Sequence, residues 1–258
     1  MKWRIWTVLG SAALLAACSD STGLTGNGAS RVSLSITTRV SGTAAAAAPT
    51  LAATQDTISD GQNELIITRA EIVLREIELE RISDDACDSL AVDDDGCEKF
   101  ETGPILVDLP LNGNVEQVLA VEPDTGTYDE IEFDLHKVSN DDPEDAAFRT
   151  AYPDMVGKTI RVQGSYNGQP FTYENDIDEE QEYDLVPPLV VDEMTTSVNV
   201  TVLVDLDSWF RDLAGNVVNP QSANKGGANE SLVNENIRRS FEAFEDDDRD
   251  GADDEDDS

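Results

Sequence analysis

Apolar and polar residues alternate along several stretches of this chain, and such alternation is typical of β-strands with one buried face. The stretch from Arg31 to Val40 carries an apolar residue or a threonine at every second position from Val32 onward. The stretch from Ser197 to Leu206 alternates without interruption through four valines and a final leucine. Because this second pattern is the most regular, we expect it to form a central strand of a sheet.

Shorter alternating stretches occupy much of the chain between these two. One of them, Thr159 to Tyr173, is divided by Asn167-Gly168, and an Asn-Gly pair between alternating arms predicts a tight β-hairpin. The remaining predicted strands are Ile105–Leu109, Val115–Val121, Tyr128–Val138 and Gln181–Leu185.

The segment from Asn63 to Ile82 has two interpretations. Its glutamates and arginines, with a leucine or isoleucine at every seventh position, are compatible with a helix. Its many β-branched residues and its local alternation favour strands. The alternation changes phase near Arg75-Glu76, which a β-bulge would produce. We therefore predict two strands or one bulged strand.

The pattern changes after the last regular strand. Asp207 is placed to cap a short helix that begins at Ser208. A loop rich in glycine and asparagine follows. One apolar stripe then predicts a helix that begins after Asn229 or Ser231 and continues through Phe244.

Together these elements predict an all-β fold, an antiparallel β-sandwich of about eight to ten strands over residues 31–215. A loop and a short C-terminal helix follow over residues 216–244. Residues 245–258 are almost wholly acidic, and we expect a disordered tail because its charges repel one another.

The N-terminus carries an export signal. Lys2 and Arg4 precede an apolar run that is too short to span a bilayer, which needs about 20 residues. The run ends in Leu15-Ala16-Ala17-Cys18, which resembles the lipobox of bacterial lipoproteins. The resemblance implies that residues 1–17 are cleaved off, that Cys18 is acylated, and that residues 18–30 form a flexible tether.

The same resemblance implies a location in the cell envelope. Several acyl chains on one residue anchor a protein stably, because each buried methylene contributes about 0.8 kcal/mol. In this family an aspartate directly after the cysteine favours retention in the inner membrane, and here that position is Ser19. We therefore expect a protein anchored in the outer membrane.

The net charge of the chain argues against polyanionic partners. The chain has 54 acidic and 17 basic residues, and its net charge is −37. Such a chain is repelled by nucleic acids and by anionic lipid surfaces. It suits cations, basic partners or simple solubility.

Cysteine usage agrees with export. Cys87 and Cys97 remain after Cys18 is lipidated, and an even pair in an oxidising compartment predicts a disulfide. A disulfide that closes such a short loop would stabilise the protein by about 2–3 kcal/mol. A metal–thiolate site is the alternative, but the chain offers no third free cysteine and only one histidine, His136.

The acidic tail contains the pattern Asp-x-Asp-x-Asp-Gly, which resembles the calcium loops of EF-hands and thrombospondin type 3 repeats. Calcium takes six to eight oxygen ligands, and alternate carboxylates around a glycine bend can converge on one ion. The resemblance implies the following ligands: Asp246, Asp248, Asp250, Asp254 and Asp257. The last of these stands where an EF-hand prefers glutamate, and no exiting helix follows it. A solvated tail without a specific site is the alternative.

Other candidates have a simpler structural explanation. Asp93–Gly96 is either a second calcium candidate or a polar loop tip. We expect His136 to be a surface histidine. Glu130, Glu132 and Asp134 alternate on one strand, as residues of a solvated strand face do. Three aromatic residues on the predicted hairpin suggest either a sugar-binding strip or, alternatively, core residues or cross-strand pairs; they are Tyr166, Phe171 and Tyr173.

The predicted layout resembles the uncharacterised β-sandwich domains of bacterial lipoproteins, a resemblance that implies no known activity. The segments that carry it are Arg31–Val40, Gly126–Tyr128 leading into Ile131–Leu135, and Val198–Leu206. We expect a non-enzymatic binding module for an extracellular protein or glycan, associated with calcium. A structural or envelope-assembly role without a discrete ligand site is the alternative, and a glycan-active hydrolase is the least favoured.

Overall fold

The structure is a computed structural model, and it describes residues 31–39, 55–82, 103–192, 194–195 and 197–254. Several sequence predictions lie outside these residues. They are the signal segment 1–17, Cys18, the tether, Cys87 and Cys97 with the loop between them, and Asp257.

The described residues form two β-sheets and three short α-helices. The strands are β1 (Val32–Thr38), β2 (Asp56–Ser59), β3 (Glu64–Arg81), β4 (Ile105–Asp108), β5 (Glu116–Val121), β6 (Gly126–Leu135), β7 (Ile160–Tyr166), β8 (Gln169–Asn175), β9 (Glu179–Val191), β10 (Val198–Val204) and β11 (Phe241–Glu245). The helices are α1 (Ala146–Ala151), α2 (Leu206–Trp209) and α3 (Glu230–Arg238). The predicted all-β, sandwich-like fold is confirmed.

The smaller sheet has the strand order β11-β10-β1-β5. Its central pair, β1 and β10, is parallel, and its other two pairs are antiparallel. Every residue of both central strands is buried. The prediction of a central strand at Ser197 to Leu206 is therefore confirmed.

The larger sheet is built on β3, and its strand order is β8-β7-β3-β6-β9, with β2 and β4 also paired to β3. The first half of β3 pairs with β7 and the second half with β6. Between Arg75 and Glu78 the register shifts, and Glu76 has a φ of +49°. The predicted phase change is thus a β-bulge in one long strand.

One continuous hydrophobic core lies between the sheets. Trp209 is its largest fully buried side chain, and its indole Nε1 donates a 2.7 Å hydrogen bond to Ser240 Oγ. Tyr173 and Phe210 pack edge to face with ring centroids 5.2 Å apart. Burial of aromatic surface in such pairs is a main contribution to core stability.

The predicted hairpin is confirmed. Asn167 and Gly168 join β7 to β8, and both have positive φ, at +50° and +75°. Positive φ at both central residues is the geometry of a type I′ turn, whose twist matches that of the flanking strands.

The prediction of a helix through Phe244 requires a correction. Helix α3 ends at Arg238, and Phe241–Glu245 is a strand that pairs with β10. Phe241 is buried, and Phe241–Glu245 pair residue by residue with β10. Packing against β10 therefore outweighs the helical spacing of the apolar residues. The sandwich therefore extends beyond residue 215.

No helix among the described ranges is long and apolar enough to cross a membrane.

Gly164 lies where β7 approaches β3 closely. A Cβ on this residue would stand 1.9 Å from the carbonyl oxygen of Ile66. We expect Gly164→Ala to lower the free energy of unfolding by about 1–3 kcal/mol, because the backbone must move to relieve the overlap. Chemical denaturation measures this change.

Gly103→Ala is the matched control, because a Cβ there meets no atom of the described residues within 4 Å. It should change stability by less than about 0.5 kcal/mol. Equal stabilities of the two variants would contradict the assigned strand packing.

Candidate functional site

The first nine residues after β11 form a compact turn, which we call the C-terminal turn (residues 246–254). Asp246 is fully buried at its start. Its Oδ2 accepts hydrogen bonds from Thr201 Oγ1 at 2.7 Å and from the Gly251 amide at 3.3 Å, and its Oδ1 accepts the Asp250 amide at 3.0 Å. The prediction of a disordered tail is wrong for these residues, because their polar groups bond to the sheet and to one another.

The C-terminal turn covers polar side chains on the smaller sheet. Asn199 on β10 donates from Nδ2 to the carbonyl of Asp246 at 2.9 Å, and its backbone amide donates to Asp247 Oδ1 at 3.0 Å. Ser35 on β1 donates to Asn199 Oδ1 at 2.6 Å. The turn is therefore attached to both central strands.

Three carboxylates of the turn converge. One oxygen each from Asp246, Asp248 and Asp254 lie within 4.8 Å of one another. Asp250 is not in this group, and its Oδ1 accepts the amide of Ala252 at 2.9 Å. Of the five ligands that the sequence predicts, the structure brings these three together, and Asp257 lies outside the described residues.

The three carboxylates of this turn are a group that could hold a hard cation. Burial raises the pKa of Asp246, and the bonds from Thr201 and from the amides of Asp250 and Gly251 oppose this effect. A cation beside the group would favour the ionised carboxylate. Three carboxylates supply half or fewer of the six to eight oxygens that calcium takes, so water or carbonyl groups would complete the shell.

A second acidic group lies on the larger sheet. Carboxylate oxygens of Glu80, Glu130 and Glu132 lie within 4.8 Å of one another. Burial raises the pKa of Glu132 to about 8, with further contributions from a hydrogen bond with Glu130 and from the charge of Glu180. The sequence showed the alternation on β6, but only the strand order shows that β3 and β9 add their carboxylates to it.

We expect stability to fall as pH rises from about 4.5 to about 8, because native Glu132 keeps its proton over a range in which the unfolded chain has released it. Glu132→Gln mimics the protonated form. It should therefore match the wild type at pH 5 and melt at a higher temperature at pH 9. Thermal unfolding monitored by circular dichroism at both pH values measures this difference.

Glu116→Gln removes an exposed carboxylate from the other sheet and serves as control. Its effect on the melting temperature should be the same at both pH values. If Glu132→Gln behaves in the same way, the raised pKa of Glu132 is refuted.

The expectation that His136 is a surface residue is wrong. His136 is 4% exposed, and its Nε2 lies 2.8 Å from Oδ1 of the buried Asp145. Asp145 also accepts the Ser139 amide, so the pair fastens the end of β6 to the start of α1. Alternation alone could not show this, because α1 covers a sheet face that sequence reasoning leaves open to solvent.

The aromatic residues of the hairpin do not form an exposed sugar-binding strip. Phe171 and Tyr173 belong to the buried core. Tyr166 is half-buried against that core, and its hydroxyl donates to the carbonyl of Val217 at 3.4 Å. The interpretation of these residues as core residues is the one observed.

An open groove of about 430 Å³ lies between β4 and β5. Its lining combines polar and apolar surface and includes Ile36, Leu106 and Tyr152. Asp108 and Glu116 bring carboxylates to its rim.

Comparison with known proteins adds no family assignment. No protein-family model, no curated protein and no solved structure matches this chain.

Proposed function

We propose that this protein is an outer-membrane lipoprotein that acts as a non-enzymatic binding module, with calcium bound at the C-terminal turn. Leu15-Ala16-Ala17-Cys18 supports the lipid anchor, and the folded β-sandwich supplies a rigid body for loops that contact an extracellular protein or glycan. The oxidising compartment favours a disulfide between Cys87 and Cys97.

The convergence of Asp246, Asp248 and Asp254 carries the calcium proposal. A bound cation supplies positive charge next to the buried carboxylate of Asp246. Asp246 holds the turn on Thr201, while Asp248 and Asp254 each bring one carboxylate oxygen to the group. The Asp254 carboxylate also accepts the Asp247 amide at 2.8 Å, which keeps the turn closed.

A structural or envelope-assembly role is the second candidate. The carboxylates that face solvent on β6 and β9 favour it, because such a surface attracts cations and basic partners without a concave pocket. Calcium binding at the turn is compatible with either role.

We expect the purified protein to bind calcium through the carboxylates of Asp246, Asp248 and Asp254. Asp254→Asn should weaken binding by at least about tenfold, because it removes one of three charged ligands of the ion. Isothermal titration calorimetry with calcium chloride in a chelator-treated buffer measures the affinity.

Asp250→Asn is the matched control, because it removes the same charge from the same turn, and asparagine can still accept the Ala252 amide. It should bind calcium within about threefold of the wild type. Equal losses in both variants would indicate general attraction to an acidic segment and would refute the three-residue site.

The anchor is tested by Cys18→Ser in the full-length precursor expressed in a Gram-negative bacterium. Serine has no thiol to acylate, so the precursor should stay uncleaved and carry no fatty acid. Mass spectrometry of the membrane fraction measures both properties. Normal processing of this variant at residue 18 would contradict the anchor, and Cys87→Ser controls for loss of a cysteine elsewhere.

A further inference from the structure

The first strand of the chain, β1, lies in the middle of the smaller sheet and not at its edge. All seven of its residues pair with β10, and β5 pairs with its other side. At the start of the parallel pair, the Val198 amide donates to the Arg31 carbonyl at 3.0 Å. At its end, the Arg39 amide donates to the Val204 carbonyl at 2.9 Å. The strand is therefore held on both sides and at both ends.

Side chains add further bonds to β1. Ser35 Oγ donates to Asn199 Oδ1 at 2.6 Å, and Thr37 Oγ1 donates to the Gly113 carbonyl at 3.2 Å. Every residue of the strand is buried. Displacement of β1 would therefore break two ladders of hydrogen bonds and bring buried apolar surface into contact with water.

The parallel direction of β1 and β10 places their first residues side by side at one end of the sheet, where Val32 pairs with Val198. The chain from Cys18 enters β1 at this end. The chain leaves β10 at the opposite end, through α2 and the loop that carries Leu213. The lipidated residue and this loop are thus connected to opposite ends of one strand pair.

The end at which the chain leaves β10 is also joined to the larger sheet. Tyr166, the last residue of β7, donates from its hydroxyl to the Val217 carbonyl at 3.4 Å. The Val217 amide donates to Asp60 Oδ2 at 2.8 Å, in the turn between β2 and β3. Phe210, directly after α2, packs against Tyr173. A load applied to the larger sheet at this end therefore reaches β10 through these contacts.

The direction of a load decides how a strand pair breaks. A pull along the strands, which draws β1 and β10 in opposite directions, loads all the hydrogen bonds of the ladder together. A pull across the strands at one end opens the residue pairs one after another. Because forced unfolding is governed by the unfolding rate, the pull that loads the whole ladder meets the higher barrier.

We propose that β1 is a load-bearing strand, through which the protein transmits force between its membrane anchor and a ligand held at the opposite end of the sandwich. The pull from the anchor enters β1 along its axis, and the opposing pull enters β10 at its far end, so the pair is sheared and not peeled apart. The inference rests on the lipid anchor of the proposed function and needs neither the calcium turn nor the disulfide.

Two pulling geometries on the full chain compare shear with peeling. DNA handles are attached through p-azidophenylalanine incorporated at two positions. In the shear geometry it replaces Arg31 and Leu213, and in the peeling geometry it replaces Arg31 and Met194, which precedes β10. Leu213 is 99% exposed and Met194 is 84% exposed, so both positions accept a handle without a change of the core.

We expect the shear geometry to unfold at a force at least about twofold higher than the peeling geometry, because only the former loads the whole ladder. Optical tweezers measure both forces at one loading rate, with EDTA present so that calcium does not contribute. Equal forces, or a lower force in the shear geometry, would overturn the proposal.

The position of the barrier is tested in the shear geometry by two matched variants. Val32→Ala on β1 and Val162→Ala on β7 remove the same buried methyl groups. At constant force Val32→Ala should raise the unfolding rate at least about fivefold, because its contacts are lost in the transition state, and Val162→Ala less than about twofold. Equal effects would place the barrier outside β1 and would contradict the load-bearing role.

Circular dichroism verifies that the variants are folded, and Ile36→Val on β1 with Ile160→Val on β7 is a milder pair for the same comparison. No acyl chain takes part in these measurements. Failure of the lipid anchor would appear with Cys18→Ser and leave the forces unchanged, whereas a strand that carries no load would be seen only in the forces.

Discussion

The parallel pairing of β1 with β10 is the constraint on which the smaller sheet depends. Both strands are buried on both faces, although only one face meets the apolar core. On the other face Ser35, Asn199 and Thr201 are buried polar groups, and such groups are costly unless they are hydrogen-bonded. The C-terminal turn supplies their partners, above all through Asp246. An acidic segment that composition alone would leave in solvent is thereby a part of the fold.

The C-terminal turn and the larger sheet each carry a cluster of three carboxylates. The two clusters differ in the groups that surround the charge. At the C-terminal turn, Thr201 and two backbone amides donate to Asp246, so fixed dipoles partly replace water around its charge. On the larger sheet the neighbours of Glu132 are other carboxylates, and burial and a hydrogen bond with Glu130 both raise its pKa. At the turn, burial outweighs these donors and raises the pKa of Asp246, and a cation beside the group would favour its ionised form. The surroundings of Glu132 likewise favour its protonated form.

The strands were predictable because one buried face leaves a period of two in the sequence. This holds for β10, for the β7–β8 hairpin, and even for the bulge at Glu76, which the sequence shows as a change of phase. Helix α3 was predictable at its start and not at its end, because Phe241 and Phe244 fit both a helical stripe and a strand. Tertiary pairing with β10 decides between them.

Sites that depend on distant segments gave no such signal. Glu80 and Glu130 are far apart in the chain and meet only because β3 pairs with β6, and no periodicity encodes that pairing. The same holds for His136, whose burial depends on a helix that begins after Asp145. The C-terminal turn lies between these cases. Its carboxylate spacing is local and was visible in the sequence. The grouping of Asp254, and not Asp250, with Asp246 and Asp248 depends on the path of the folded turn, which spacing alone does not determine.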